Sequence, residues 1–496
     1  MKFLRFLFVL FLVLGLWSMV QSPAFAANPW FVDTATKTGK PARWPYEGTA
    51  EHGFYTIYWF SDPGALNAKI DNKDMVDAQG QPVKGAVSIV KELFDKWTSV
   101  NLKRADGYSI NSVALKFEWC GNLNKKRDNA PAGCKNDGYS DIADIKSDNY
   151  RRFAFPDMVN PPPVVIIFDE DGSIITDYMQ GDTTAKNGVV GLGHNTPGSD
   201  TLTIKTGFVI LNGRMVNGNP VSTDDNEVLL DNFKSAILHE IGHLLNVDHS
   251  QLNLDVAQNC TGDNCAQSEG ITTMFPFLFP DKSAPQLSLH NDDKAAVSYL
   301  YPSPAFVSNF CIIEGDIVDS ADKGIQGINV TTKNVTDNPL IDSRSWVSGA
   351  LYPLFTQNGH YVFPGILPNQ DYEVDYEQIN ARYRDPAQPA SAVGPLLGDK
   401  APKDFPPGQI SGPGNTQTVH CSHGGETISM PAYKMDLAST TPGTSPPPPP
   451  ETGAKAAGSK GKGFCSLNKN QPFSWGTFLG FLLILFIPLS FYRRPQ

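Results

Sequence analysis

The sequence predicts an α+β protein in which a larger domain, a twisted mixed sheet with one long functional helix, is followed by a smaller all-β sandwich. Three observations predict this. Aromatic and β-branched runs alternate with helical periodicity as far as Tyr301, the pattern becomes wholly strand-like after Pro302, and Pro- and Gly-rich segments close it off beyond Leu437. With 496 residues and 41% hydrophobic content, the chain can bury two or three cores. Its formal net charge of -11, with no long basic run, argues against nucleic acid as a partner and against adsorption to anionic lipid.

Residues 1–26 combine Lys2 and Arg5, the apolar run Phe6 to Trp17 and the small-x-small triplet Ala24-Phe25-Ala26, the pattern of a cleaved secretory signal. The larger domain then occupies residues 28–303. Its first strand is Phe54 to Phe60, rich in aromatic residues. A helix over Val83 to Asn101 follows, because Val87, Val90, Leu93, Phe94 and Trp97 recur at three- and four-residue steps, and Val113 to Trp119 alternates as a strand. Lys125 to Asn160 is polar and reads as a surface insertion holding Cys134. Val164 to Phe168 is uniformly apolar, as in a buried strand. Asp169 and Asp171, just before Gly172, are candidate calcium ligands or parts of a plain turn. Gly188 to Gly193 and Thr206 to Asn212 are the next candidate strands, and His194 reads as an ordinary surface histidine. Asp224 and Glu227 have the spacing of a capping box, so the long helix is expected over Asp225 to Leu245, with Val228, Leu229, Phe233, Ala236, Ile237 and Leu244 on its buried face.

That helix carries the chemistry. His239 and His243 are four residues apart and so differ by about 40° in azimuth, which lets both imidazoles face one cation. Glu240 lies about 100° away from His239 and can reach a metal-bound water without being a ligand. Asn246 tolerates the left-handed conformation that ends helices, so His249 can swing back as a third ligand. Three protein ligands with an open fourth position describe a catalytic zinc.

The run His239-Glu240-x-x-His243-x-x-Asn246-x-x-His249 resembles the zinc signature of the metzincin metalloproteases, with Asn246 where the family usually has Gly. Ser250 is similar to the matrixin branch, and Thr273-Met274-Phe275-Pro276 resembles the methionine turn. Leu287 to Tyr301, with Asp292-Asp293, resembles the closing matrixin helix. The resemblance implies a zinc endopeptidase acting on protein or peptide. His239, His243 and His249 would be the ligands, Glu240 the general base and Met274 an apolar floor. It also implies an edge strand that pairs with extended substrate. Phe275 stands where many relatives carry Tyr, and no cysteine precedes Cys120 to act as a propeptide latch.

Strand signals at Ile312 to Val318, Ile325 to Thr331, His360 to Phe363 and Tyr372 to Ile379 define the sandwich over residues 305–437, which resembles carboxypeptidase-regulatory-like modules. His360, His420 and His423 read as surface residues. Export implies an oxidising compartment. Proximity and domain membership suggest the pairs Cys120 with Cys134, Cys260 with Cys265 and Cys311 with Cys421, although spacing alone does not fix connectivity. Residues 438–472 form a Pro-rich then Gly/Lys-rich linker, 473–492 an apolar run of membrane-spanning length, and 493–496 a short tail opening with Arg493-Arg494. The positive flank puts the tail in the cytoplasm and the enzyme outside, either anchored or released after processing of a sorting signal. Nothing in the pattern specifies an oligomeric state. Two rival readings are an envelope adhesion or scaffold protein with a vestigial metal site and a self-processing protease that cleaves only itself or one partner.

Overall fold

Strands form where the sequence places runs of apolar and β-branched residues, and they assemble into an α+β architecture dominated by sheets. The structure, a computed structural model, describes residues 41–378 and 416–435 apart from short internal stretches, the longest being 126–131, 217–227, 257–267 and 350–358. Residues 1–26, expected as a signal peptide, residues 438–472, expected as a linker, Cys465 and the 473–492 segment lie outside the described residues, as do Cys260, Cys265, Asp224 and Glu227. Among the described residues, no helix is long and apolar enough to cross a membrane.

The first sheet contains β1 (Tyr46–Glu47), β2 (Phe54–Ser61), β3 (Leu115–Asn122), β4 (Val164–Asp169), β5 (Gly191–Pro197) and β6 (Ile204–Asn212). β2 pairs in parallel with β3 and β4, and β4 pairs in parallel with β6. β5 lies antiparallel to β6 at the edge. A mixed sheet buried on both faces needs apolar residues at consecutive positions, and all six residues of β4 are buried.

Helices α1 (Gly85–Thr98) and α2 (Leu230–Leu244) cover one face, where Trp59, Phe94, Trp97, Ile166, Val209, Phe233 and Ile237 share a core. The opposite face corrects the expectation for Lys125 to Asn160. Tyr139, Ile142, Ile145, Tyr150 and Phe153 are buried against Val165, Ile167 and Phe208, and the Cys120–Cys134 disulfide ties this layer to β3. Apolar residues every three to five positions were enough to cover a sheet face despite the polar average of the segment.

Among the described residues, the sandwich has two four-stranded sheets. In one, β7 (Cys311–Val318) pairs with β10 (His360–Ile366), β13 (Thr427–Ser429) and β14 (Tyr433–Lys434). In the other, the order is β9 (Ser343–Val347), β8 (Ile328–Asn334), β11 (Gln370–Gln378), β12 (Gln417–Cys421). Ile313, Tyr361 and Phe363 from one sheet meet Val330, Tyr372 and Val374 from the other. The Cys311–Cys421 disulfide links β7 to β12, as the domain membership of the two cysteines suggested. His360, His420 and His423 are exposed, also as expected.

Candidate metal centre

Helix α2 starts later than its sequence pattern predicts. It begins at Leu230 after the extended Leu229, while Val228 is held in a bridge with Val216 and donates to Met215 O at 2.7 Å. β-bridge pairing of Val228 therefore displaces the first turn, and the predicted helical positions of Val228 and Leu229 are corrected. The other end matches the prediction. Asn246 has φ 67°, Asn246 N donates to His243 O at 2.9 Å and Val247 N donates to Gly242 O at 2.9 Å. These two bonds make a Schellman motif with Asn246 as its left-handed residue. Distant side chains satisfy the final carbonyls: Asn195 Nδ2 donates to His243 O (2.7 Å), Trp44 Nε1 to Leu244 O (3.0 Å) and Tyr301 Oη to Leu245 O (2.9 Å). Asn246 Nδ2 itself donates to Ala42 O at 2.9 Å. The helix end is thus fixed from four directions, and the chain beyond it returns towards the histidines.

His239, His243 and His249 converge. Their ligand atoms all lie within 4.8 Å of one another, and His243 Nε2 is 3.2 Å from His249 Nε2. Tetrahedral zinc with bonds of about 2.0–2.1 Å separates its ligand nitrogens by about 3.3–3.4 Å, close to the His243–His249 separation, and the three imidazoles together could hold a metal ion. The tautomers fit as well. His239 Nδ1 is 2.8 Å from Thr273 O and His243 Nδ1 is 3.0 Å from Val247 O. A carbonyl can only accept, so each Nδ1 carries the proton and each Nε2 presents a lone pair. Burial pushes His239 down to about 4, partly opposed by its bond to Thr273. Burial, then the neighbouring His239 and His249, push His243 well below its ordinary value. Neutral imidazole is the form that binds metal.

Glu240 is buried on the adjoining face of α2, where its Oε2 accepts from Gly193 N at 2.6 Å. Alternate glycines on β5 allow this approach: a Cβ at Gly193 would overlap the Glu240 carbonyl oxygen, and one at Gly191 would lie 3.1 Å from Glu240 Cγ. Sequence reasoning proposed either Gly188 to Gly193 or Thr206 to Asn212 as the edge strand, and the edge is β5. The Gly-x-Gly spacing was the available signal for its contact with the helix. His194, directly after these glycines, is half-buried with its ring 5.5 Å from that of Phe208, which corrects its reading as a surface residue.

Met274 is fully buried beneath the histidines' helix, and a Cβ at Gly242 would meet its Sδ. Asp293 holds the turn in place. Its Oδ1 accepts from Met274 N (3.0 Å) and its Oδ2 from Thr273 N and His290 N (both 2.8 Å). Ser250 N donates to Met274 O at 2.8 Å, joining the segment after the third histidine to the same turn. Asp248, which sequence reasoning missed, accepts from His249 N through Oδ1 at 2.6 Å.

Asp169 and Asp171 lie apart from this centre. Asp169 Oδ2 accepts from Ile175 N at 2.8 Å and Asp171 Oδ1 from Ser173 N at 2.9 Å, so both bond to the start of the short helix Ser173–Tyr178. Among the described residues, no group of three metal donors includes either carboxylate.

A scan against protein-family models finds no match, and a search of curated proteins finds none either. Among solved structures, the chain is similar to the dioxygenase domain of a dioxygenase carbohydrate-binding protein fusion from the cellulolytic bacterium Streptomyces sp. SirexAA-E. The identity is 10%, over 27% of this chain and 83% of that one. With a TM-score of 0.13, that likeness carries no argument about the site.

Proposed function

We propose that the chain is an exported, zinc-dependent endopeptidase of the metzincin type with a matrixin-like catalytic domain. The observation that carries the reading is the convergence of three imidazoles beside Glu240, itself bonded to the edge strand of the sheet. His239, His243 and His249 would hold the ion. Zinc there supplies a Lewis acid that polarises the scissile carbonyl and brings the pKa of water towards neutrality. Glu240 accepts the proton of the attacking water and returns it to the leaving amine. β5, at the sheet edge, offers main-chain groups to an extended peptide alongside the reacting centre. Met274 and Trp97, packed against Gly242, set the height of the helix under both of its histidines.

The signal-like start and the apolar 473–492 segment support a location outside the membrane, with the protein anchored or released by processing. The test is to incubate the purified full chain with a proteome-derived peptide library, with and without a chelator. Cleavage that a chelator abolishes and zinc restores is expected. A library untouched in the presence of zinc would overturn the general endopeptidase reading, and zinc-dependent shortening of the chain alone would favour self-processing.

A further inference from the structure

The third ligand differs from the other two in its support. His239 and His243 are fixed by the helix that carries them, whereas His249 lies five residues beyond the end of α2, in a segment with no regular structure of its own. Its position depends on what holds Ser250. One tie is the bond from Ser250 N to Met274 O. The second is a side-chain path that leaves the catalytic domain: Ser250 Oγ donates to Asp292 Oδ2 at 2.6 Å, and Asp292 Oδ1 accepts from Ser345 N at 2.9 Å. Asp292 belongs to α3 (Asn291–Leu300), and Ser345 is the middle residue of β9 in the sandwich.

Among the described residues, β9 is the last strand of its sheet and pairs only with β8 there, so its outer edge would otherwise present unpaired main-chain groups. The catalytic domain covers that edge. Ser250, Asp292 and Ser345 are all buried, at 0%, 2% and 2% exposure, so neither carboxylate oxygen has bulk water to replace a lost partner. The same junction holds the next turn of chain. Leu340 O accepts from Asn253 Nδ2 and from His290 Nε2, both at 3.0 Å. The buried Arg344–Asp342 pair and the bond from Arg344 Nη2 to Gly365 O brace the strand from the sandwich side.

We infer that the β-sandwich is a working part of the metal centre, and that Asp292 is a positioning residue that carries the Ser345 main-chain contact to Ser250 and thereby fixes His249. This rests on the metal-binding reading above. A module attached only by a linker could be lost without effect on the centre; here the domain completes a hydrogen-bond path one residue from a ligand. Groups that orient metal ligands typically change affinity by about 10- to 100-fold when removed.

The test uses the full chain and cobalt(II), whose visible absorption reports its coordination. Asp292→Ala should weaken cobalt binding by about 10- to 100-fold and alter the spectrum. Asp292→Asn retains an acceptor for Ser345 N and can donate to Ser250 Oγ, so it should restore wild-type affinity to within about threefold. Ser250→Ala, which leaves Asp292 and Ser345 in contact, should weaken binding in the same direction if Asp292→Ala fails to fold. Equal affinity and spectra for wild type, Asp292→Ala and Ser250→Ala would overturn the positioning role while leaving the metal site standing. A wild-type chain that binds no cobalt would overturn both.

Discussion

The main-chain amide of Gly193 donates a 2.6 Å hydrogen bond to Glu240 Oε2, so the edge strand and the proposed general base are held as one unit. Alanine at this position would drive its Cβ into the Glu240 carbonyl oxygen, and β5 would have to lift from α2. Gly193→Ala should therefore cost about 100-fold in kcat/KM, the scale expected for a displacement of about 1 Å, with zinc content unchanged. Steady-state kinetics beside metal analysis would check it, and undiminished activity would show that the contact does not matter.

Glu240→Gln keeps an oxygen to accept from Gly193 but cannot take a proton. Peptide hydrolysis should fall by about 10²- to 10⁴-fold while zinc stays bound in a one-to-one ratio. A variant that hydrolyses peptides as fast as wild type would remove Glu240 from the mechanism.

Asn246 sits at φ 67° and bonds to Ala42 O. Gly accepts that backbone and loses only the side-chain bond, whereas Val meets a steric penalty as well. Asn246→Gly should destabilise by about 1 kcal/mol and Asn246→Val by about 2–4 kcal/mol, read by denaturant unfolding of the metal-free chain. The reverse order would contradict the assigned turn.

Asp62 is buried and pushed up to about 6 by that burial, although Gly64 N, Phe168 N and Ile145 N all donate to it. Because its pKa is raised on folding, the folded chain holds a proton that the unfolded chain releases between about pH 4 and 6. Its contribution to stability is present below that window and is lost as pH rises through it. The stability of wild type relative to Asp62→Asn should thus decline by about 2–3 kcal/mol from pH 4 to pH 7. Parallel unfolding curves at the two pH values would refute this.

Much of the metal centre was legible in the sequence because its ligands sit at fixed helical steps and its helix end needs a residue that tolerates positive φ. Asn246 could be placed for that reason, and Met274 through the resemblance of Thr273-Met274-Phe275-Pro276 to a methionine turn. The register of β5 against α2 was harder to see, since it depends on glycines whose meaning appears only when two elements meet. The Ser250–Asp292–Ser345 path was illegible for a related reason: three polar residues 42 and 53 positions apart carry no periodicity. The misplaced helix start has the opposite cause. Val228 fits a helical face as well as a bridge, and pairing with Val216 decided between them. In the stretch from Lys125 to Asn160, average polarity hid the few apolar side chains that cover the sheet.

The Cys311–Cys421 link closes a loop of 110 residues between the two sheets of the sandwich. Replacing both cysteines with serine should lower stability by about 2–5 kcal/mol on chain-entropy grounds. Denaturation of the double variant against wild type under non-reducing conditions would measure it, and coincident curves would refute it.

The bond from Ser250 N to Met274 O closes the base of the connection between the third histidine and the methionine turn. Each doubling in length of a flexible loop adds only about 0.6 kcal/mol of closure cost. A change of length made beyond that knot should therefore reach the histidines only through the Ser250–Met274 bond. Such a tether separates the surroundings of the three histidines, which can vary, from the placement of the histidines themselves, which the knot keeps.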